Sequence, residues 1–143
     1  PKSRGTLTLA SKDPSVPPLI DLGLFRDPSD LDTLAAGLLR LQSEMAATDL
    51  GAHQAPQVHP VPLQTMDAAR DYIIQNAGTA YHPVGTLALG AGPVDAALKL
   101  KGLQNIWVAD AGVMPHVTSA NTNAPSMMIG YRVAGFIRDH IKG

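Results

Sequence analysis

The sequence predicts an α+β fold, and three observations lead there: a period-two segment near the start, "TLTLA"; two capped segments with apolar residues at helical spacing; and an apolar stripe behind a proline in the C-terminal segment. With 143 residues, 45% hydrophobic and 16% charged, the chain has enough apolar material for one ordinary core and is read as one domain over 1–143.

Residues 6–10 alternate threonine with apolar residues, as a half-buried strand does, and "SKDPSVPPLID" then breaks the pattern with prolines, giving a turn and an extended segment. In "DPSDLDTLAAGLLRLQSEM", Ser29 and Asp32 form a capping box, and Leu31, Leu34, Leu38, Leu41 and Met45 follow at helical spacing. The proline-spaced stretch 51–64 is a loop in which "QVHPVP" suits an edge strand. Thr65 caps a helix through about Asn76, with Met66, Ala69, Tyr72 and Ile73 on one face and Gly78 as a left-handed terminator. After the loop "GAGPVDAALKLKGLQ", "NIWVADAG" reads as a compact strand ending in Asp110 and a glycine turn. Pro125 then suits the first turn of a last helix carrying Ile129, Val133, Phe136, Ile137 and Ile141 as its apolar stripe.

A net charge of −1 with no Lys/Arg block gives no footprint for nucleic acid, and no apolar run is long enough to span a bilayer. The absence of cysteine rules out a disulfide framework or thiolate site; it fits a reducing compartment such as the cytoplasm and leaves localisation open. The opening "PKSRG" has neither an initiator methionine nor a signal-peptide pattern, so residue 1 need not be where the gene begins. There is no G-x-S-x-G, H-E-x-x-H or G-x-x-x-x-G-K-[ST]. His53 and His59 sit in a proline-rich loop without a third ligand and read as surface histidines rather than a metal pair, and His116 and His140 as solvent-facing. Trp107, Met127 and Met128 read as core.

Three segments are unusual for a plain core: "YHPVGT", "VADAGVMP" and "TSANTNAPSMMIG". Pro83 keeps His82 out of the helical region, so its ring projects from extended backbone in a held direction, and Gly85 permits a close backbone approach or a positive φ. Taken alone, His82 suits a packed structural histidine equally well, and Asn121, Asn123 and Ser126 are what an ordinary helix N-terminus selects for capping.

In this order and spacing the segments resemble the C-terminal region of the glucose-methanol-choline (GMC) flavin oxidoreductases, and "PKSRGTLTLASKDPSVPPLID" followed by "DPSDL" resembles the start of that region. The resemblance implies an antiparallel sheet flanked by helices, the substrate-binding and flavin-capping portion of an FAD enzyme that oxidises alcohols. It implies that His82 is the histidine at the reactive face of the flavin and that Asn121 is its second catalytic partner, making a His/Asn pair. It also implies that Asp110, Ala111, Thr122 and Tyr81 contact the cofactor, the Asp110–Ala111 turn near the ribityl or pyrophosphate and the backbone at Thr122 near the pyrimidine edge. These residue types suit alcohol oxidation, since neutral imidazole, with an ordinary pKa of about 6.5, accepts a hydroxyl proton, and an asparagine amide holds the substrate oxygen without titrating.

The sequence departs from the family in its short "GAGP" loop, in "DLGLFRD", and in lacking the G-x-G-x-x-G segment that binds the ADP half of FAD. The expected partner is therefore a second chain or segment carrying that dinucleotide-binding domain, against which residues 103–143 would pack, and the expected substrate is a small-molecule alcohol. A flavin-scaffold lyase and a non-catalytic structural subunit stand as alternatives.

Overall fold

The structure, a computed structural model, describes residues 1–53, 63–90 and 92–142; the edge strand expected in "QVHPVP" and the side chain of His59 lie outside them. The chain forms two compact units, residues 1–78 and 79–143.

The first unit opens with β1 (Thr6–Thr8) and β2 (Leu19–Asp21), antiparallel and in register Thr6↔Asp21, Leu7↔Ile20 and Thr8↔Leu19. Every residue of both strands is exposed, against the half-buried strand expected from "TLTLA": the facing pair Leu7 and Ile20 keeps 52% and 65% of its surface in solvent. Helix α1 (Pro28–Ala46) follows, then the short α2 (Asp49–Ala52) and α3 (Met66–Asn76).

Ser29 does not cap α1; Asp27 does, accepting from the Ser29 amide at 2.9 Å. Pro28 explains the change. It occupies the first helical position, where its missing N–H has no role, and it forces the residue before it into the extended conformation that an N-cap needs, here φ −91° and ψ 115°. Thr65 caps α3 as expected, accepting from Ala68 at 3.1 Å. The far end of α3 differs from expectation: Ala77 leaves the helix extended, at φ −71° and ψ 141°, so no left-handed glycine is required at Gly78.

Helices α1 and α3 bury Ala35, Ala69 and Ile73 between them, flanked by Phe25, Leu31, Leu38, Leu39 and Tyr72. Two alanines at the contact let the backbones approach closely. Because α3 is short and covers only the side of α1 that bears Leu31, Ala35, Leu38 and Leu39, Leu34 and Leu41 of the expected stripe remain about half exposed.

The start of the chain is tied to α1. The amides of Lys2 and Ser3 donate to the Asp30 carboxylate at 2.8 and 2.7 Å, and the Asp27 amide donates to Ser3 Oγ at 3.0 Å. The Ser3 side chain, then the Lys2 and Ser3 amides, hold the Asp30 carboxyl down to about 2.

In the second unit, residues 85–89 run beside a 3-10 turn at Ala111–Val113, with the amides of Leu87 and Leu89 donating to the carbonyls of Gly112 and Val113, each at 2.9 Å. Helix α4 (Asn123–Lys142) lays Ile129 and Val133 on this frame, enclosing Val94, Leu98, Val113 and Met114. The expected strand "NIWVADAG" is reduced to a bridge between Trp107 and Lys99. Positive φ values of 59° at Leu98 and 58° at Asn105 turn the backbone on both sides of that bridge and stop the ladder from extending. The segment read as a loop, "GAGPVDAALKLKGLQ", contributes the fully buried Val94. Among the described residues no helix is long and apolar enough to cross a membrane.

Because the folded pKa of Asp30 is depressed, its contribution to stability is complete above the ordinary value of 3.8 and is lost as pH falls through about 2. An NMR titration of the Ser3 amide should therefore have its midpoint near 2, and Asp30→Asn should release residues 1–3 at neutral pH; a midpoint near 3.8 would show that the tie is not made.

Candidate active site

His82 follows Tyr81, a residue at φ 62° whose amide donates to Thr79 Oγ1 at 3.0 Å. This turn sends the Tyr81 ring outward, 85% exposed, and brings the half-buried His82 inward. Its Nδ1 lies 2.9 Å from Oγ1 of Thr122, which is buried with 7% of its surface exposed. Thr122 is the N-cap residue of α4: its carbonyl accepts from the Ser126 amide at 3.0 Å and from Ser126 Oγ at 2.6 Å. Two expected site residues, distant in sequence, thus meet directly. Asn121, adjacent to Thr122, is exposed beside this pair.

Asp110 and Ala111 occupy the turn that supports His82. The Asp110 carboxylate is exposed and accepts from the Gly112 amide at 2.7 Å, closing the 3-10 turn, while Ala111 packs on the core and its carbonyl receives the Gly85 amide at 3.4 Å. Gly85 sits at φ 86°, a conformation that favours glycine. A methyl group on Gly112 would stand 2.7 Å from Thr86 Oγ1 and 2.8 Å from Asp110 Oδ1, so glycine there allows the two segments to approach.

The other described histidines lie at the surface. His53 and His116 are exposed, and exposed His140 meets the edge of Trp107 with ring centres 5.2 Å apart. Among the described residues no three His, Asp or Glu side chains gather as a metal site would require. Trp107 is partly buried against the core, as expected, but Met127 and Met128 are 63% and 55% exposed. They follow Ser126 on the side of α4 opposite to Ile129 and Val133, and with Tyr131 they form an apolar surface beside the helix start. Sequence reasoning assigned Thr122 through its backbone and missed its hydroxyl. The available signal was Pro125, which offers that hydroxyl no amide to cap.

The family model described as GMC oxidoreductase matches residues 1–130. The chain belongs to that family. It is similar to an alcohol dehydrogenase (acceptor) of Pseudomonas putida, 40% identical over 144 residues that cover 96% of this chain and 26% of that protein. It is likewise similar to a choline oxidase of Arthrobacter globiformis, 37% identical over 96% of this chain and 27% of the relative. Among solved structures, an Aspergillus oryzae formate oxidase studied for modification of its FAD superimposes with a TM-score of 0.89 at 26% identity, over 97% of this chain and 25% of that one. The chain spans about a quarter of the length of the proteins it matches.

Gly112→Ala should fold but lose about 1–3 kcal/mol, because the new methyl group displaces the Asp110 carboxylate and crowds Thr86. Adding Thr86→Ala should recover part of that loss in a double-mutant thermal-unfolding cycle. Strict additivity of the two changes would show that Thr86 does not limit the approach.

Proposed function

We propose that this chain is the active-site-bearing portion of an FAD-dependent alcohol oxidoreductase, with His82 accepting the hydroxyl proton and Asn121 orienting the alcohol. The observation that carries the reading is the half-buried His82 imidazole held by Thr122 at the head of α4, one residue from an exposed asparagine. Two of its relatives are by name an alcohol dehydrogenase and a choline oxidase, which favours alcohol oxidation over the lyase and structural-subunit alternatives.

The residues fit a flavin. Gly112, without a side chain, lets the Asp110–Ala111 turn lie close against Thr86, and at the head of α4 the Asn123 and Ala124 amides precede the first helical bond, which the Ser126 amide makes. The helix's partial positive end there favours negative charge developing during turnover. Asp110, Ala111, Thr122 and Tyr81 would hold the cofactor. When bound, FAD supplies the acceptor for the hydride that leaves the alcohol carbon. His82 takes the hydroxyl proton as the carbonyl forms, and the Asn121 amide, which does not titrate, fixes the oxygen so that the O–H points at the imidazole. Met127, Met128 and Tyr131, exposed at 63%, 55% and 82%, support packing of residues 103–143 against a dinucleotide-binding domain carried on another segment or chain.

His82→Ala in the FAD-loaded protein should slow bleaching of the flavin by alcohol about 100-fold or more, with flavin content little changed. Asn121→Ala should slow it less, and Asn121→Asp more than Ala, since a carboxylate there opposes developing negative charge and competes for the proton. Stopped-flow absorbance measures all three; a His82→Ala trace matching the parent would remove the base from the reaction.

Expressed without a dinucleotide-binding segment, residues 1–143 should not retain FAD, because that half of the cofactor's binding surface is absent from them. Equilibrium dialysis yielding stoichiometric FAD on the 143-residue chain alone would contradict the division of roles.

A further inference from the structure

Both Thr65 and Thr122 stand at helix N-caps, and they use their hydroxyls differently. Thr65 Oγ1 accepts from Ala68, the third residue of α3, at 3.1 Å. The third residue of α4 is Pro125, which has no N–H, and Thr122 Oγ1 lies instead 2.9 Å from His82 Nδ1. A proline at this position removes the amide that a threonine cap most often engages and leaves the hydroxyl oxygen available to a group from elsewhere in the unit.

A contact of 2.9 Å accommodates either direction of hydrogen bonding. If the hydroxyl donated to Nδ1, the ring proton would sit on Nε2 and the imidazole would offer no free lone pair away from Thr122. If Nδ1–H donates to the hydroxyl oxygen, Nε2 carries the free lone pair that a proton acceptor needs. Resting on the reading of His82 as the base, we infer that Thr122 is a positioning residue: its hydroxyl oxygen accepts the Nδ1–H of His82, fixing the ring and the tautomer that leaves Nε2 free. When Nε2 takes the alcohol proton, Nδ1–H becomes the donor of a charge-assisted bond, so the same contact strengthens as the proton arrives. The Thr122 hydroxyl acts through His82, apart from the residue's backbone beside the cofactor, and its burial keeps water from replacing it.

The test uses the full-length, FAD-loaded protein carrying this chain, labelled with ¹⁵N-histidine, with the His82 signals assigned by their loss in His82→Ala. In the parent, the ¹⁵N shifts should place the ring proton on Nδ1. Thr122→Val, which keeps shape and removes the hydroxyl, should shift His82 toward the other tautomer and slow flavin bleaching about 10-fold or more, with unchanged alcohol affinity. Thr122→Ser should restore the Nδ1–H tautomer and return the rate to within about twofold of the parent. A proton found on Nε2 in the parent, or a Thr122→Val protein that bleaches at the parent rate while His82→Ala is slow, would overturn the positioning role and leave His82 as the base. Parental bleaching in His82→Ala would overturn the base reading itself, and the inference with it.

Discussion

The backbone hydrogen bonds from Gly85, Leu87 and Leu89 to the carbonyls of Ala111, Gly112 and Val113 are the constraint on which the 79–143 unit depends. They fix where His82 sits, because only Pro83 and Val84 separate it from the first of them, and Pro83 has little conformational freedom. They also seat Val113 and Met114 against Ile129 and Val133, so the paired segment that aims the histidine also anchors α4. The hydrogen bond between His82 and Thr122 then closes a ring of constraints: segment 82–89 to the 3-10 turn, the turn to the core of α4, and the head of α4 back to the imidazole.

The core inside this ring is small and without charged groups. Thr122 is its buried polar residue among those described, and its hydroxyl has a partner. The charged groups that shape the turn, such as Asp110, face solvent and bond to their own backbone. The partner of His82 in this core, the buried Thr122 hydroxyl, is neutral, and an oriented hydrogen bond in such a setting retains most of its strength.

The sequence disclosed helices more readily than pairings. The apolar spacing of α1 and α3 and the cap at Thr65 were legible because each depends on residues within one or two turns. The cap at Asp27 was obscured by a serine two positions on, and the strand at Trp107 was misjudged because its length is limited by positive φ at Leu98 and Asn105, which apolar periodicity does not register. Met127 and Met128 read as core because their apolar side chains are of a type often buried, and residue type cannot separate a side chain buried within the chain from one on an apolar surface facing outward. Of the candidate site, His82 and Asn121 were proposed through family motifs, whereas the meeting of His82 with the Thr122 hydroxyl joins residues 40 positions apart and needed the fold.

The exposed hairpin β1–β2 has a consequence for how the chain opens. A two-stranded ribbon with both faces in solvent gains little order from its own ladder, and its attachment runs through Lys2, Ser3 and the Asp21–Arg26 ion pair. Its opening free energy therefore lies well below that of the α1–α3 pair, which buries Ala35, Ala69 and Ile73. Among the described residues of 1–78, a protease would meet the connection between the strands, around "SKDPSV", before it reached the helices, and the α1–α3 pair would survive that cut as a folded remnant.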